Sequence, residues 1–449
     1  MKRRNYLSSV IVLLIVLITC GCALADDDSA KVKMQPLGRS PLLLKIPENV
    51  KGDFDVAGEP PKLDFAIFPN QWEGADLWSA WGDSLCASDG NFYASIGDHG
   101  RPHGTSYVYK IDPDTRTVEL IVDYNHVVGL DEKAKYAPGK IHAPLREGGD
   151  SWMYFVGYRG SVRKTGPETG FRGDWLLRYN LKSGKIENLG IMIPHCSVPS
   201  MESYIPSPES SIDSAMLYGL AVPGRTKPDM KPRFFAYSIA KKKLTFCGGP
   251  PSTMNRAIIV TSRGKVYYEV EAKLVRYDPE DKSVENTDIK VPGNGRLRAA
   301  SRPDSRGIIY CFSSDGMMFA FNPTEAKITK LGMAFVAGRL YTTDCELSPG
   351  GRYLYYIPSA HGNSHVHGTA LIQLDLKTGR RKVIAFLNEF IRQKKDYNIG
   401  GTYGMALSKD GSVLFVNFNG APLESKRKNF GLCSAMIVHI PEKERDEEP

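Results

Sequence analysis

The amino-acid sequence predicts an all-β protein, a seven-bladed β-propeller of four-stranded antiparallel blades that is closed by an N-terminal strand. The chain repeats a unit of two β-hairpins about seven times, at a spacing of roughly 40 to 65 residues. Stretches with helical periodicity are nearly absent, and residues 385–395 are the one helix candidate. The last unit lacks its outermost strand. A solenoid is the alternative, but its repeats are usually shorter and more even.

One half of the repeated unit is an apolar strand, a tight polar turn and a second strand. Six copies occur, among them "VYKIDPDTRTVELIV", "LLRYNLKSGKIENLG" and "LIQLDLKTGRRKVIAF". An Asp-Pro, Asn-Pro or Lys-Ser/Thr-Gly turn supplies the reversal in most copies, because these residues favour tight turns. The other half is a hairpin with a Gly turn, as in "LCASDGNFYASIG", "LSPGGRYLYYIP" and "LSKDGSVLFVNF". A seventh copy, "PESSIDSAMLYGL", lacks the Gly and keeps the layout.

The two ends of the chain predict how the ring closes. The last unit contains only the three strands "YGMALS", "VLFVNF" and "AMIVHI" before the charged "PEKERDEEP". An N-terminal strand such as "LDFAIF" can complete this blade, which removes an open sheet edge. We therefore expect a strand at about residues 60 to 70 to pair beside "AMIVHI".

The first 25 residues have the pattern of a signal peptide. "MKRRNYLSSVIVLLIVLITCGCALA" has three basic residues, a short apolar run and an Ala-Leu-Ala cleavage site. The run is short for a membrane span and no second one follows. We expect a secreted or periplasmic protein without a transmembrane span. A form that is lipid-anchored through Cys20 or Cys22 stays open.

The chain after the signal divides into three expected parts, an N-terminal extension (26–59), the propeller (60–441) and a charged tail (442–449). Without the three basic residues of the signal, the 58 Lys and Arg residues become 55 against 50 acidic residues, a net charge of +5. This charge favours an anionic ligand, and no basic arm for nucleic acid occurs. Six widely spaced cysteines indicate small buried residues rather than a disulfide scaffold, although one or two bridges stay open.

The strand order assigns the loops to two faces of the propeller. The short turns, such as "SDGN" and "LKSGK", share one face, and the long loops and crossovers share the other. Long loops on a rigid scaffold commonly carry binding and catalytic residues. The last residues of the crossovers should ring the central channel on that face. The residues at these positions are His142, Tyr204, Asn255, Arg256, Arg296, Arg298, Arg339, Tyr341 and Tyr403. We expect His142 to be exposed to this face, within a few ångströms of Tyr204 or Tyr158 and one arginine.

These ring residues are basic, phenolic or amide side chains, without a carboxylate. The set suits an anionic ligand, because Arg makes paired, planar hydrogen bonds to carboxylate or sulfate. The alternative is that some of the arginines brace neighbouring blades. Glycoside hydrolysis needs two facing carboxylates, which the ring does not provide. The sequence also has no nucleophile elbow, phosphate loop or dinucleotide fingerprint.

"APGKIH", "WMYFVGYRG" and "LLRYNLKSGKIENLG" together resemble the second blade of the propeller-type polysaccharide lyases, the ulvan lyases and more distantly the oligogalacturonate lyases. The resemblance implies a secreted monomer that cleaves a uronate-containing anionic polysaccharide by β-elimination, with no required cofactor. It implies His142 as the base, Tyr204 or Tyr158 as a phenol partner, and Arg256 or Arg225 as the neutraliser of the carboxylate. Arginine suits that last task because it stays charged. Expected contacts to the acidic polysaccharide or oligosaccharide are Lys140, His103, Arg159, Asn255, Arg298, Tyr341 and Tyr403.

Two further hypotheses remain at this point. "AHGNSHVHG" places His361, His365 and His367 in one loop, where they could bind a structural divalent metal such as zinc or calcium. A contact loop for the ligand is the alternative for these histidines. The whole protein could also be a non-catalytic propeller that binds an anionic glycan or a partner protein. A redox propeller with a quinone cofactor is a third class of protein to consider, but no feature of the sequence specifies it.

Overall fold

Seven antiparallel sheets surround one channel in the computed structural model of the chain, which confirms the seven-bladed β-propeller. The structure describes residues 30–71, 78–98, 104–131, 133–160, 162–206, 212–335 and 340–446. From the axis outwards, the strands of blade 1 are Trp78–Ser79 with Leu85–Cys86, Phe92–Asp98, Thr105–Asp112 and Thr117–Asp123. Those of blade 2 are Lys140–Ile141 with Arg146–Glu147, Trp152–Tyr158, Trp175–Asn180 and Ile186–Ile191. Those of blade 3 are Cys196–Tyr204, Met216–Pro223, Arg233–Ser238 and Lys243–Gly248.

Blades 4 to 6 follow the same order, and blade 7 takes its fourth strand from the start of the chain. The strands of blade 4 are Ile258–Val260, Val266–Val270, Lys273–Tyr277 and Val284–Lys290, and those of blade 5 are Leu297–Ala300, Ile309–Ser313, Met317–Asn322 and Lys327–Met333. The strands of blade 6 are Glu346–Leu347, Tyr353–Tyr356, Ala370–Asp375 and Arg381–Phe386. Those of blade 7 are Tyr397–Leu407, Val413–Pro422, Ser434–His439 and Lys62–Ile67.

In several blades, an Asp or Asn side chain closes the turn between the third and the fourth strand. In blade 1 the Oδ1 atom of Asp112 accepts hydrogen bonds from the backbone N–H groups of Asp114 and Thr115. Asn180 and Asp375 close the corresponding turns of blades 2 and 6 in the same way. A short Asp or Asn side chain can fold back onto its own turn, which is why the Asp/Asn-containing motif predicted these reversals.

The ring closes where the sequence predicted. Strand Lys62–Ile67 pairs antiparallel with Ser434–His439 over six residues, from Ser434 opposite Ile67 to His439 opposite Lys62. The first and last parts of the chain therefore share blade 7, and its outer edge is covered. At the seam the Nε2 atom of His439 lies 2.8 Å from Oδ2 of the buried Asp64.

Three short N-terminal strands add fifth strands to three blades. Lys31–Lys33 pairs with the outer strand of blade 1, Gln35–Gly38 pairs with Lys62–Ile67 in blade 7, and Asp55–Val56 runs parallel to the outer strand of blade 6. The described part of the predicted extension thus belongs to the outer wall of the propeller. The described part of the tail is also anchored, because the buried Glu444 lies against Lys382 at 2.5 Å.

The described part of the chain contains two α-helices, Tyr124–Val127 and Leu387–Lys395, and the second confirms the helix candidate. The 3-10 turns are Pro41–Leu44, Val162–Thr165, Pro167–Thr169, Ile212–Ser214, Ser364–His367 and Glu442–Glu444. Within the described ranges, no helix is long and apolar enough to cross a membrane. All six described cysteines are free thiols, and Cys196, Cys311, Cys345 and Cys433 are buried, as expected for small core residues.

Candidate functional site

The innermost strands of blades 1 and 2 are both interrupted, and each interruption places an aromatic ring at the channel. Trp81 follows Trp78–Ser79, and His142 follows Lys140–Ile141. Both side chains line the upper part of the channel, and their rings lie nearly parallel with centroids 6.3 Å apart. An interrupted strand frees the side chain from strict alternation, so that it can turn toward the axis.

His142 is held by neighbours on both sides of its ring. Its Nδ1 atom lies 2.9 Å from the carbonyl oxygen of Pro199, and its Nε2 atom lies 2.9 Å from Nη1 of Arg256. Because the carbonyl only accepts and the guanidinium only donates, the imidazole is neutral with its proton on Nδ1. Burial and the charges of Arg256 and Lys140 hold the pKa of His142 well below its usual range. The Tyr158 ring lies 5.1 Å away, between centroids.

The expectation that His142 is exposed to the long-loop face is wrong. Only 6 % of its surface is exposed, because the rings of Trp81 and Tyr158 lie against it. The predicted neighbours are nevertheless present, since Tyr158 and Arg256 both contact it.

Lys140 is a buried cation beside these rings. Its Nζ atom lies 4.0 Å from the centroid of the Trp81 ring and 5.5 Å from that of Tyr158. Burial, together with the charges of Arg256 and Arg159, lowers the pKa of Lys140 to about 7. The aromatic faces therefore solvate the ammonium only in part.

A second set of contacts continues around the channel to blades 5, 6 and 7. Nε of the buried Arg298 donates to the hydroxyl of Tyr341 at 2.6 Å, and its Nη1 lies 3.3 Å from the carbonyl oxygen of Thr343. The Tyr341 ring stacks on His361 with centroids 4.6 Å apart, and Nδ1 of His361 lies 2.6 Å from the hydroxyl of Tyr403. Tyr403 in turn contacts Trp81, with centroids 4.6 Å apart. We call this end of the channel the long-loop mouth; it comprises Trp81, Lys140, His142, Tyr158, Arg256, Arg298, Tyr341, His361 and Tyr403.

Below this mouth the channel narrows to a cavity of 40 Å³ lined by Arg256 and Arg298 above and by carboxylates below. Arg146, on the innermost strand of blade 2, lies there between side chains of blades 1 and 3. Its Nε and Nη2 atoms donate to the two carboxylate oxygens of Glu202 at 2.6 and 2.8 Å, and Nη2 also lies 2.8 Å from Oδ2 of Asp83. Arg146 is therefore paired with two carboxylates, which come from different blades.

The channel opens again on the face of the short turns, into a cavity of 520 Å³. We call this end the short-turn mouth; it comprises Asp83, Ser84, Glu202, Tyr204, Thr261, Arg302, Asp344 and Glu346. The two cavities share Asp83, Arg146, Glu202 and Asp344, so they are two parts of one channel.

Tyr204 lies at the short-turn mouth, and the prediction that it begins its innermost strand is wrong. The strand runs over Cys196–Tyr204, so that Tyr204 is its last residue and Cys196 its first. Nine residues carry Tyr204 to the opposite face from His142. The phenol beside His142 is therefore Tyr158, and the structure does not bring Tyr204 to it.

The other expected site residues lie around the long-loop mouth at different depths. Arg225 is an exposed loop residue whose backbone N–H donates to Thr165 at 3.0 Å. Nη1 of Arg159 donates to the carbonyl oxygen of Pro223 at 2.6 Å. Asn255, with a φ of 56°, binds Ser252 and directs the chain into Arg256. His103, Arg339, Cys20 and Cys22 lie outside the described residues.

The loop histidines are not gathered around one point. His361 contacts Tyr403 and Tyr341, while His365 and His367 lie in a 3-10 turn. Within the described residues, no group of three or more His, Cys, Asp or Glu side chains is arranged to hold a metal ion. The metal site predicted at His361, His365 and His367 therefore finds no support in this geometry.

The sequence reasoning missed Trp81 and Phe430. Their rings stack with centroids 5.7 Å apart and planes at 7°, and Trp81 contacts residues of three other blades. A signal for Trp81 exists in "WSAWGD", which precedes the first Gly hairpin as "KIHAPL" precedes the second. Nothing in the long loop around Phe430 marks that residue.

Comparisons with known proteins show the fold. No family model matches the chain, and no curated protein sequence matches it. The solved structure of U3-55K is 8% identical with a TM-score of 0.50, covering 84% of this chain and 98% of that one. The crystal structure of the RRP9 WD40 repeats is also 8% identical with a TM-score of 0.50, covering 88% and 100%. Neither name identifies a polysaccharide lyase, and the resemblance to that family stays a prediction.

Proposed function

We propose that the protein is a binding propeller that holds a carboxylate-bearing ligand at the long-loop mouth. One observation carries the proposal. Lys140, Arg256 and Arg298 converge there, and among the described residues none of them has a carboxylate within ion-pair distance. Lys140 is 8 % exposed and Arg298 is 5 % exposed.

Buried cations without a counter-ion are costly, because burial removes water that would stabilise the charge. The lowered pKa of Lys140 is the sign of that cost. An anion between Lys140, Arg256 and Arg298 would restore the ordinary protonation of the lysine, since an opposite charge within a few ångströms favours the charged form. The free energy of binding would come from relief of this repulsion as well as from new hydrogen bonds.

The size of the narrow cavity favours a small planar anion. Its 40 Å³ corresponds to roughly three water-sized volumes, about the size of a carboxylate. Ser200 lines the same cavity, is 2 % exposed, and its hydroxyl has no partner among the described residues. A carboxylate could accept hydrogen bonds from this hydroxyl and from Arg256 and Arg298.

Titration calorimetry with two ligands tests the proposal and separates two sources of the carboxylate. The ligands are a galacturonic acid trimer, which represents an acidic glycan, and a short polyglutamate peptide, which represents an acidic partner protein. We expect one of them to bind, and Arg298→Met to weaken that binding about tenfold or more. The matched control is Arg352→Met, an exposed arginine paired with Asp375 on the outside of blade 6.

Two results would reject the binding proposal. One is that neither ligand binds the unmodified protein at millimolar concentration. The other is that Arg298→Met binds as tightly as the unmodified protein while Arg352→Met behaves in the same way.

Uronate β-elimination is a second candidate, favoured by the contact of His142 with both Tyr158 and Arg256. In the structure Nε2 of His142 is occupied by Arg256. Catalysis would need Arg256 to turn to the substrate carboxylate, which frees the Nε2 lone pair to accept the C5 proton. The leaving oxygen at C4 would then take a proton from Tyr158. Elimination produces an unsaturated uronate, so ultraviolet absorbance during incubation with uronate polysaccharides distinguishes it from binding alone; its absence leaves the binding proposal intact.

A further inference from the structure

The short-turn mouth contains more acidic than basic side chains. Four carboxyl groups line its cavity of 520 Å³, contributed by Asp83, Glu202, Asp344 and Glu346. Two basic side chains accompany them. Arg146 is already bonded to Glu202 and Asp83, and the exposed Arg302 donates to the carbonyl oxygen of Leu347 at 3.1 Å.

Asp344 and Glu346 are left without a basic partner. The Asp344 oxygens accept from the backbone N–H groups of Cys345 and Met405 at 2.7 and 2.6 Å, which are neutral donors. The Glu346 side chain has no hydrogen bond or ion pair with any residue in the described part of the chain. The two residues are two positions apart in one segment, so their side chains lie on the same side and face the channel.

Two buried hydroxyls add unused acceptors to the same cavity. Ser84 is 2 % exposed and Thr261 is 7 % exposed, and both line the cavity. Neither hydroxyl oxygen has a hydrogen-bond partner among the described residues. Buried polar groups in native proteins are generally hydrogen-bonded, so these hydroxyls indicate a missing polar partner.

We propose that the short-turn mouth binds an organic cation, a primary ammonium or guanidinium group inserted along the channel axis toward Glu346 and Asp344. Such a group carries only hydrogen-bond donors, and the Glu346 carboxyl and the hydroxyls of Ser84 and Thr261 can all accept hydrogen bonds. The cavity also has the size of sites that hold small organic ligands, roughly 300 to 1,000 Å³. The described residues offer no set of three ligands arranged for a metal ion.

The protonation of the carboxyls agrees with this geometry. Burial and the charge of Asp83 raise the pKa of Glu346 to about 8. Burial, the charge of Asp83 and a hydrogen bond with it raise the pKa of Asp344 above its usual range. The thiols that face the cavity stay neutral, since burial raises the pKa of both Cys86, to about 11, and Cys345. A bound cation would return the carboxyls toward their ordinary pKa values, and protons would be released.

Calorimetry with three small probes tests the proposal. Cadaverine is the free diamine, a blocked tripeptide with a central lysine represents a partner protein, and pentanediol has the chain length of cadaverine without the charge. We expect one of the cations to bind and pentanediol not to bind. Glu346→Gln should weaken the cation about tenfold or more, while Glu285→Gln, an exposed residue on the outer strand of blade 4, should not change it.

Proton release supplies a readout that needs no variant. Repeating the cadaverine titration near pH 7 in two buffers of different ionisation enthalpy measures the protons released on binding. We expect a net release from the unmodified protein. The proposal is overturned if neither cation binds at millimolar concentration, if pentanediol binds as well as cadaverine, if binding releases no proton, or if Glu346→Gln binds the cation as tightly as the unmodified protein.

Discussion

The two mouths of the channel are built from the same seven innermost strands and differ in their ionisable side chains, which are basic at one mouth and mostly acidic at the other. At the long-loop mouth, Lys140, Arg256 and Arg298 lack a carboxylate partner. At the short-turn mouth, Asp344 and Glu346 lack a basic partner. Between them, Arg146 is bonded to Glu202 and Asp83. The ion pairs in the middle of the channel therefore separate basic groups without a carboxylate partner at one end from carboxyl groups without a basic partner at the other.

The difference has consequences for protonation. The lowered pKa of Lys140 and the raised pKa of Glu346 both shift a group toward its neutral form near pH 7 to 8. An anion at one mouth should take up protons and a cation at the other should release them. The two mouths should consequently respond to pH in opposite directions.

The largest expected effect comes from breaking the paired middle of the channel. Arg146→Met leaves Glu202 and Asp83 without their basic partner. Removing one partner of a fully buried pair costs about 3 to 5 kcal/mol, and this is the upper bound here because the side chains of Arg146 and Glu202 are 18% and 27% exposed. Chemical denaturation near neutral pH measures the loss. Arg276→Met, which breaks an exposed pair with Glu285, should cost about 1 kcal/mol or less. Equal losses in the two variants would show that the middle pairing is no stronger than a surface pair.

A second variant isolates the acidic mouth. The folded chain keeps the proton of Glu346 up to about pH 8, whereas an ordinary glutamate releases it near 4.5. Between these values the folded state binds more protons, so the free energy of unfolding falls as pH rises, by up to about 1.4 kcal/mol per pH unit from this group. Glu346→Gln should reduce this slope. Denaturation at about pH 6 and about pH 8 measures it, with Glu285→Gln as control.

An unchanged slope in Glu346→Gln would mean that the carboxyl is ionised in the folded state across this range. Neighbouring groups would then stabilise the negative charge of Glu346, which would contradict its description as a carboxyl group without a basic partner.

The fold could be predicted because its signals are periodic and local. Turns such as that of Asp112 recur in most repeats, and the missing strand after "AMIVHI" predicted the pairing of Lys62–Ile67 with Ser434–His439. The lengths of the innermost strands are not encoded in the same way. The strand that ends at Tyr204 has nine residues and the one at Ile258–Val260 has three. The residue at which a crossover ends and its innermost strand begins therefore could not be located from the sequence.

Part of the candidate site was predicted because the long crossovers could be recognised in the sequence. Arg256, Arg298, Tyr341 and Tyr403 follow long crossovers and do meet at one mouth. The acidic mouth was missed because its carboxylates lie beside or within the innermost strands rather than in long loops. The alternation of Asp344 with Glu346 is the signal that could have located it.

A third variant tests the opposite response to pH at the long-loop mouth. The amine of Lys140 is half-protonated near pH 7, and His142 stays neutral. Binding of the carboxylate ligand should therefore be about three- to tenfold tighter at about pH 6 than at about pH 8. Lys140→Met should abolish this dependence, and Lys273→Met, on the third strand of blade 4 where it pairs with the exposed Asp288, should retain it. Affinity that rises with pH would contradict the assignment of Lys140.

The smallest expected effect concerns the hydroxyl of Tyr403. Burial raises the pKa of this phenol, so it is a neutral donor beside Nδ1 of His361 at 2.6 Å. Tyr403→Phe removes one hydrogen bond, worth about 0.5 to 1.5 kcal/mol, and the exposed imidazole regains water as a partner. The free energy of unfolding should fall by about 1 kcal/mol or less, and carboxylate binding should weaken less than about threefold. Cation binding at the short-turn mouth should not change, because Tyr403 does not line that cavity. Denaturation and calorimetry on the same variant measure all three quantities. A loss of cation binding in Tyr403→Phe would show that the two mouths are coupled through the channel, and the comparison between them would then describe one site rather than two.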